Sequence, residues 1–212
     1  MIEFESFGKI GRLFRDIVIT EKIDGTNAAV GIRFESFEAS SHPDIPENVA
    51  VKDRGGFEVN GMVNLAFVYA QSRSRIITPT ADNFGFAKWV YDNANTLVAD
   101  LGEGLHFGEW WGSGIQRGYG LPKGEKRFSL FNTHRWADAE FDTPNLGAVP
   151  VLYHGPFSTT RVQIALNNLA LNGSVAAPGF HKPEGVVIYH AASGALFKAT
   201  IENDELPKSM AA

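Results

Sequence analysis

The chain has 212 residues, a formal net charge of −5 and an ordinary globular composition, with 44% hydrophobic and 20% charged residues. It contains no cysteine, which excludes disulfides, thiolate metal sites and a cysteine nucleophile. The length predicts one domain over residues 1–212, and neither a membrane span nor a secretory signal is found. We therefore expect a cytoplasmic protein without a membrane partner. The acidic balance argues against coating of long nucleic acids, so any nucleic-acid site should be local.

The apolar pattern predicts many short strands along the chain. They are expected at residues 17–20, 28–34, 66–73, 105–111, 127–132, 149–153, 186–190 and 195–201. The first two are joined through a turn or a bent edge, since Asp-Gly is a strong turn signal. Residues 36–61 are polar and rich in Pro and Gly, which predicts a long surface excursion with one short strand near Val49.

Two helices are predicted from apolar residues at steps of three and four. The first covers residues 87–101, with Asp82 or Asn83 as its cap. The second runs from a cap at residue 158 or 159 to Gly173. Many strands and two helices without strict alternation predict an α+β domain with a largely antiparallel sheet.

The first candidate site is the segment Glu21-Lys22-Ile23-Asp24-Gly25-Thr26-Asn27, between two predicted strands. An isolated Lys-x-Asp-Gly string is most often an ordinary hairpin turn. Here the apolar strands on both sides can withdraw the lysine from water. A lysine nucleophile needs such an environment, because an ordinary lysine has a pKa of about 10.4 and is almost fully protonated at pH 7.

Further candidate motifs follow in order along the chain. They are Ser72-Arg73-Ser74-Arg75, His106-Phe107-Gly108-Glu109-Trp110-Trp111-Gly112, Arg127-Phe128-Ser129-Leu130-Phe131-Asn132, Lys182-Pro183-Glu184-Gly185-Val186-Val187 and Leu196-Phe197-Lys198-Ala199-Thr200. A carboxylate inside an apolar strand, such as Glu109, needs donors, which a pair of sugar hydroxyls or a core arginine can provide. An aromatic residue in a strand, such as Phe131, is usually part of the core.

In this order, over Lys22 to Lys198, the motifs resemble those of the covalent nucleotidyltransferases, the superfamily of DNA ligases, RNA ligases and mRNA capping enzymes. The flanking Glu21 and the Thr-Asn ending are most similar to the ATP-dependent RNA ligases of the T4 RNA ligase 2-like type. The resemblance implies a nucleotidyltransferase (adenylation) domain with mainly antiparallel sheets flanked by helices. The chain ends fourteen residues after Lys198, so we expect no OB-fold.

The resemblance also implies roles for individual residues. Lys22 is the nucleophile that becomes adenylylated, and Glu184 holds a divalent metal, Mg²⁺ or Mn²⁺. Lys198 contacts the α-phosphate. The family's last motif is Lys-x-Lys, this chain has only one lysine there, and Lys198 matches either the first or the second of the two. Glu109 binds the ribose hydroxyls and Phe131 stacks on the adenine. The implied nucleotide-binding set is Glu21, Lys22, Asp24, Asn27, Arg75 (with Arg73 as the alternative), Glu109, Phe131, Glu184 and Lys198.

The implied function is an ATP-dependent RNA ligase that joins 5′-phosphate and 3′-hydroxyl ends through a lysyl-AMP intermediate, as in nucleic acid repair. The alternatives are an mRNA-capping-type guanylyltransferase and a non-catalytic nucleotide- or end-binding module with the same fold. The expected substrates are ends or nicks, of RNA in preference to DNA. We expect a monomer. A separate nucleic-acid-binding protein is one further expected partner. The protein could also be encoded by a phage and act in the host cytoplasm.

The glycine-rich segment 112–120 is a further candidate. Its backbone N–H groups could approach phosphates, and Arg117 adds positive charge. A flexible hairpin loop is the other interpretation of the same pattern, and both stay open.

Overall fold

A computed structural model of the protein describes residues 3–8, 10–38, 40, 44–53 and 62–202. Over these ranges the chain is a mixed α+β structure with mostly antiparallel sheets and few helices, as predicted. The strands are β1 (Asp16–Lys22), β2 (Thr26–Glu38), β3 (Ala50–Asp53), β4 (Met62–Ser72), β5 (Ile76–Ile77), β6 (Gly104–Gly112), β7 (Lys126–Leu130), β8 (Leu146–Ala148), β9 (Val151–Pro156), β10 (Gly185–His190) and β11 (Ala195–Thr200). The helices are α1 (Phe86–Asp92), α2 (Ala94–Leu101), α3 (Thr133–Trp136) and α4 (Thr159–Asn172). None of the helices in these ranges is long and apolar enough to cross a membrane.

The chain divides into two compact units. The first unit comprises Met1–Ile23 and Pro150–Ala212, and the second comprises Asp24–Val149. The backbone passes from the first unit into the second directly after the Lys22-Ile23 dipeptide.

The first unit is built on a four-stranded antiparallel sheet in the order β11-β10-β1-β9. Helix α4 begins after Ser158, whose hydroxyl oxygen accepts a hydrogen bond from Arg161 N, and it ends at Gly173, which confirms the second predicted helix. One face of the sheet packs with α4. The buried core there consists of Ile17, Ile19, Ala165, Leu169, Val186 and Ile188. Since neighbouring side chains of a strand point to opposite faces, Lys22 lies on the face away from α4.

The second unit contains a larger sheet in the order β3-β4-β2-β6-β7-β8, with β5 paired to β4. All of its pairs are antiparallel except β7 with β8. Helices α1 and α2 contribute to the core on one face of this sheet. Its buried members are Ala28, Val30, Ile32, Val68, Ala70, Ile77, Phe86, Ala87, Val90, Ala94, Leu97, Leu101, Trp110, Ile115, Phe128, Leu130 and Trp136.

The first predicted helix is in fact two helices, α1 and α2, which meet at Asn93. Asn93 leaves the helical conformation, with φ −108° and ψ 15°, and its side-chain amide donates to Trp89 O at 2.8 Å. Asparagine competes in this way for backbone groups, which is why it disfavours helix interiors. The predicted cap Asp82 does bond the start of α1, since its carboxylate accepts from Ala87 N at 2.8 Å and Lys88 N at 3.0 Å.

Several strand boundaries differ from the prediction. Strand β2 continues to Glu38, so the polar excursion starts later than predicted, and β3 confirms the short strand expected near Val49. Strand β7 ends at Leu130, one residue before Phe131. The short elements β5, β8 and α3 were not predicted. Residues 39, 41–43 and 54–61 of the predicted excursion lie outside the described residues.

His106, on β6, is a buried titratable group. Its Nε2 lies 3.1 Å from Gly102 O, and its ring lies edge-on to Trp136 with the centroids 5.8 Å apart. Burial lowers its pKa from the ordinary value of 6.5, the Gly102 carbonyl partly opposes this, and the charge of Arg135 lowers the pKa further.

This lowered pKa predicts a pH dependence of stability. As the pH falls below 6.5, the unfolded chain takes up a proton at His106 before the folded chain does. The free energy of unfolding should therefore fall as the pH drops from 6.5 to the lower pKa of the folded state. Above pH 6.5 His106 is neutral in both states, and the stability is not reduced by its titration. Urea unfolding at about pH 7.5 and about pH 5.5 should show a smaller pH effect in His106→Gln than in the natural sequence. An equal pH effect in both proteins would contradict the prediction.

Candidate active site

Lys22 is the last residue of β1 and pairs in register with Gly185, the residue after Glu184. Its Nζ lies 2.5 Å from Glu184 Oε2, and the two side chains are 24% and 17% exposed. The lysine is thus largely withdrawn from water and has a carboxylate as its hydrogen-bond acceptor. Both residues belong to the first unit and come from sequence-predicted motifs.

The glycine after Glu184 is required by close packing. Gly185 has φ 156°, and a Cβ atom there would lie 2.2 Å from Ala199 O and 2.7 Å from Thr200 Cα. A side chain at this position would push β11 away from β10. The Glu-Gly order of this motif therefore lets β10 start close against β11 and places the Glu184 carboxylate beside Lys22.

Glu21, predicted to bind the nucleotide, points to the α4 side of the sheet and is 1% exposed. Its Oε1 accepts from Ser174 Oγ at 2.5 Å, and its Oε2 accepts from Val175 N at 2.8 Å and Ala176 N at 2.9 Å. The carboxylate thus ties the turn that follows α4 to the strand that carries Lys22. No pattern in the sequence marks Ser174 as its partner.

Lys198 lies on β11 and is exposed. It pairs with Val187, which in turn pairs with Thr20 of β1. Residues paired in register share a sheet face, and Lys22 is two positions from Thr20. The sheet therefore presents Lys198 and the Lys22 amine on the same face, the one away from α4.

In the second unit, the Asp24-Gly25 segment is a bend between β1 and β2, which lie in different sheets, and hydrogen bonds hold it. Asp24 N donates to Tyr119 Oη at 2.8 Å, and Arg117 Nε donates to Asp24 Oδ2 at 3.1 Å. Gly25 N donates to Glu109 Oε1 at 3.1 Å. The predicted site residues Asp24 and Glu109 are therefore brought together through the backbone of Gly25.

Gly25 lies so close to β6 that it has no room for a side chain. A Cβ atom there would lie 2.4 Å from Trp110 O and 2.8 Å from Trp111 Cβ. We expect Gly25→Ala to lower the free energy of unfolding by about 1–3 kcal/mol, because the backbone must shift to relieve the contact. Urea denaturation measures this. Gly147→Ala is the matched control, since a Cβ atom at Gly147 meets nothing within 4 Å, and equal stability of the two variants would refute the steric explanation.

Asn27, Glu109 and Phe131 lie on one face of the larger sheet. Asn27 pairs with Glu109, and Glu109 pairs with Ser129, two residues before Phe131. The pairing continues past the end of β7, since Phe131 N donates to Phe107 O at 2.9 Å. Phe131 is 41% exposed, so its ring is accessible rather than part of the core. This face is opposite to the one that packs on α1 and α2.

Arg73 and Arg75 would share one face if the predicted strand continued through both residues, but it does not. Strand β4 ends at Ser72, and both arginines are exposed in the turn before β5, which is closed by Ser72 N donating to Arg75 O at 2.8 Å. Arg75 Nη1 donates to Ala81 O at 3.4 Å. Since Ser72 pairs with Ala28, the turn lies at the end of the sheet where Asn27 is found.

The segment 112–124 is a series of hydrogen-bonded turns rather than a loose hairpin loop. Bonds from Ile115 N to Gly112 O at 3.0 Å and from Gly118 N to Ile115 O at 2.9 Å order it, and Ile115 and Tyr119 are buried. The contacts of Arg117 and Tyr119 with Asp24 were not predicted. The sequence feature that could have indicated a function for these two residues is their position, a cation and an aromatic residue between glycines.

A metal ion bound in the first unit would have to share its coordination with a substrate. Among the described residues, no group of three or more His, Cys, Asp or Glu side chains could hold a metal ion. Glu184 instead supplies one partly buried carboxylate. Mg²⁺ is commonly held in this way, by one or two carboxylates together with waters and nucleotide phosphates.

A comparison with protein-family models gives one match that covers most of the chain. The model of the RNA ligase family matches residues 15–200. The chain therefore belongs to the RNA ligase family, which suggests an enzyme that joins RNA ends. The matched range contains all of the candidate residues from Glu21 to Lys198. A search of curated proteins found no match.

Proposed function

We propose that the protein is an ATP-dependent RNA ligase of the T4 RNA ligase 2-like type, a covalent nucleotidyltransferase that acts through lysyl-AMP on Lys22. The observation that carries the proposal is the partly buried Lys22 amine bonded to Glu184 Oε2 at 2.5 Å. Membership of the RNA ligase family supports the joining of RNA ends. We further propose that the enzyme acts as a monomer in the cytoplasm, on ends or nicks of RNA in preference to DNA.

In the first step, neutral Lys22 Nζ attacks the α-phosphorus of ATP. A P–N bond forms, the bond from the α-phosphorus to the bridging oxygen breaks, and pyrophosphate leaves in line. The Glu184 carboxylate, which already accepts a hydrogen bond from this amine, is in place to take its proton. Lys198, on the same face of the sheet, supplies positive charge to the phosphates.

A Mg²⁺ or Mn²⁺ ion at Glu184 would shield the charge of the triphosphate and stabilise the leaving pyrophosphate. Charge alone does not suffice for the role of Glu184, because its side chain must also stay within reach of Lys22 to take the proton. The close packing at Gly185 and the register of β10 with β1 provide this constraint.

Two transfers complete the reaction. The oxygen of a 5′-phosphate end attacks the phosphorus of lysyl-AMP, the P–N bond breaks, and the Lys22 amine recovers a proton. The 3′-hydroxyl of a second end then attacks the activated 5′-phosphate, a phosphodiester forms and AMP leaves. Both are phosphoryl displacements, in which positioning provides much of the rate.

We assign the binding of the nucleotide in the second unit to Asp24, Asn27, Arg75, Glu109 and Phe131. Three observations support this assignment. Asn27, Glu109 and Phe131 share a sheet face, the Phe131 ring is 41% exposed, and the arginine turn lies at the Asn27 end of the sheet. An accessible aromatic ring can stack on a base, and a carboxylate can accept from ribose hydroxyls.

One observation favours a second candidate, a nucleotide- or end-binding module without catalysis. The last motif has a single lysine, Lys198, and that lysine is exposed. A phosphate held by one exposed cation is activated less than one held between two. Lys198 nevertheless lies on the same face of the sheet as Lys22, which favours the ligase.

Incubation with ATP or GTP labelled at the α-phosphate, followed by denaturing electrophoresis, tests the proposal. We expect covalent label from ATP, its release on addition of pyrophosphate, and its mapping to Lys22. Label from GTP instead would identify a capping-type guanylyltransferase, and no label from either nucleotide would leave the binding module. Sealing assays on nicked RNA, nicked DNA and single strands then define the substrate.

A further inference from the structure

We propose that Arg117 and Tyr119 are positioning residues of the ligase reaction, because the loop that carries them fixes both the backbone and the carboxylate of Asp24. The inference rests on the proposed function, since Asp24 follows the lysine nucleophile by two residues. It gives a role to the glycine-rich segment that differs from direct binding of phosphate.

Both the backbone and the side chain of Asp24 are hydrogen-bonded. Its amide donates to Tyr119 Oη at 2.8 Å, and its carboxylate accepts from Arg117 Nε at 3.1 Å. The next amide, of Gly25, donates to Glu109 Oε1 at 3.1 Å. Two successive backbone N–H groups and one side chain are therefore fixed, and the direction of the backbone at this point is determined.

The loop is built to present these two side chains. Gln116 and Tyr119 have φ values of 44° and 50°, which residues other than glycine rarely adopt. Such conformations persist only where the surroundings impose them, and they are concentrated at functional sites. Tyr119 is 2% exposed, and its ring lies edge-on to Trp111 with the centroids 5.2 Å apart. The buried ring thus aims the hydroxyl at the Asp24 amide.

A purely stabilising role explains the Arg117–Asp24 ion pair poorly. The two side chains are 33% and 29% exposed, and ion pairs this close to solvent contribute little to stability. Their geometry matters more, because only Ile23 separates Asp24 from Lys22 along the chain. Asp24 is itself one of the residues assigned to the nucleotide, and small misplacements of a group that positions a reactant are costly in rate.

Arg117 has two rival roles, a contact with a phosphate of ATP and a contact with a phosphate of RNA. These two roles and the positioning role predict different kinetics. A positioning residue changes the rate of lysyl-AMP formation at saturating ATP, when no RNA is present. An ATP ligand changes KM for ATP, and an RNA ligand changes the later sealing steps alone.

The experiment measures lysyl-AMP formation without RNA, over a series of ATP concentrations, in the full chain and four variants. For Arg117→Ala and Tyr119→Phe we expect the rate constant of lysyl-AMP formation at saturating ATP to fall about ten- to a hundredfold, with the half-saturating ATP concentration within about threefold of normal. Arg117→Lys, which keeps the charge, should recover part of the rate. Lys123→Ala removes an exposed cation from the same loop and should behave as the natural sequence. Melting temperatures should stay unchanged for Arg117→Ala and Lys123→Ala.

Other outcomes overturn the inference in recognisable ways. An unchanged rate constant at saturating ATP in both Arg117→Ala and Tyr119→Phe rejects positioning while lysyl-AMP formation itself still stands. A raised KM alone would make Arg117 an ATP ligand, and a defect confined to sealing would make it an RNA ligand. Absence of label in the natural sequence would reject the proposed function, and this inference with it. Hydrogen exchange at the Asp24 amide gives a direct check, since exchange that is no faster in Tyr119→Phe contradicts the hydrogen bond on which the inference depends.

Discussion

Replacement of Lys22 by alanine or by arginine is expected to abolish covalent labelling by ATP, because neither side chain provides a neutral amine for attack on the α-phosphorus. Arginine is the sharper variant. It keeps the positive charge beside Glu184, so the ion pair can persist, but the guanidinium does not lose its proton in proteins and is not a nucleophile. Labelling, sealing of nicked RNA and pyrophosphate release should all fall to background in both variants.

The folded state should survive both substitutions. The Lys22 and Glu184 side chains are 24% and 17% exposed, so removal of the lysine leaves a carboxylate that water can still reach. Circular dichroism and the melting temperature should therefore match those of the natural sequence to within a few degrees, about the effect of 1 kcal/mol. Covalent AMP on either variant, at any site, would reject Lys22 as the nucleophile.

The strands that carry the candidate site could be predicted from the sequence, because their apolar patterns are local. The pairing of these strands is not local. Lys22 and Glu184 are 162 positions apart, and their contact depends on the antiparallel register of β1 with β10. The order of motifs, interpreted through family resemblance, predicted that both belong to one site, whereas apolar periodicity alone predicts only that each lies on a strand.

The side-chain direction of Glu21 could have been predicted from β1 itself. Ile17 and Ile19 are buried against α4, and Glu21 continues the same alternation. Adjacent residues of a strand point to opposite faces, so Glu21 and Lys22 cannot both project from the same face. The resemblance marked both residues together as nucleotide-binding, and only strand geometry separates them.

Other features could not be predicted because they depend on tertiary contacts or on small energy differences. Tyr119 and Arg117 reach Asp24 from 95 and 93 positions away, through a loop whose φ values are unusual for their residue types. Asn93 divides the first predicted helix, although the apolar period continues across it. The arginine turn begins where β4 stops, and propensity patterns do not fix the ends of strands to one residue.

Substitution of Glu184 is expected to have the second-largest effect. Glu184→Gln keeps the size of the side chain and an oxygen that can accept from Lys22, but removes the charge that holds a metal and the ability to take a proton. We expect lysyl-AMP formation to slow on the order of 10²–10³-fold, the usual cost of removing one charge-stabilising group from a transition state. The Mg²⁺ or Mn²⁺ concentration that gives half of the maximal rate should rise as well.

Comparison with Glu184→Ala separates the two contributions of this carboxylate. Alanine removes the hydrogen bond to Lys22 as well as the charge, so any further loss in rate relative to Glu184→Gln measures the orientation of the amine. Asp16→Asn is the matched control, because it removes one exposed carboxylate from the opposite end of the strand that carries Lys22. A Glu184→Gln protein with normal rate and normal metal dependence would show that neither metal binding nor proton transfer uses this residue. In that case the ion pair with Lys22 would only orient the lysine, and the Mg²⁺ would have to be held by nucleotide phosphates and other side chains.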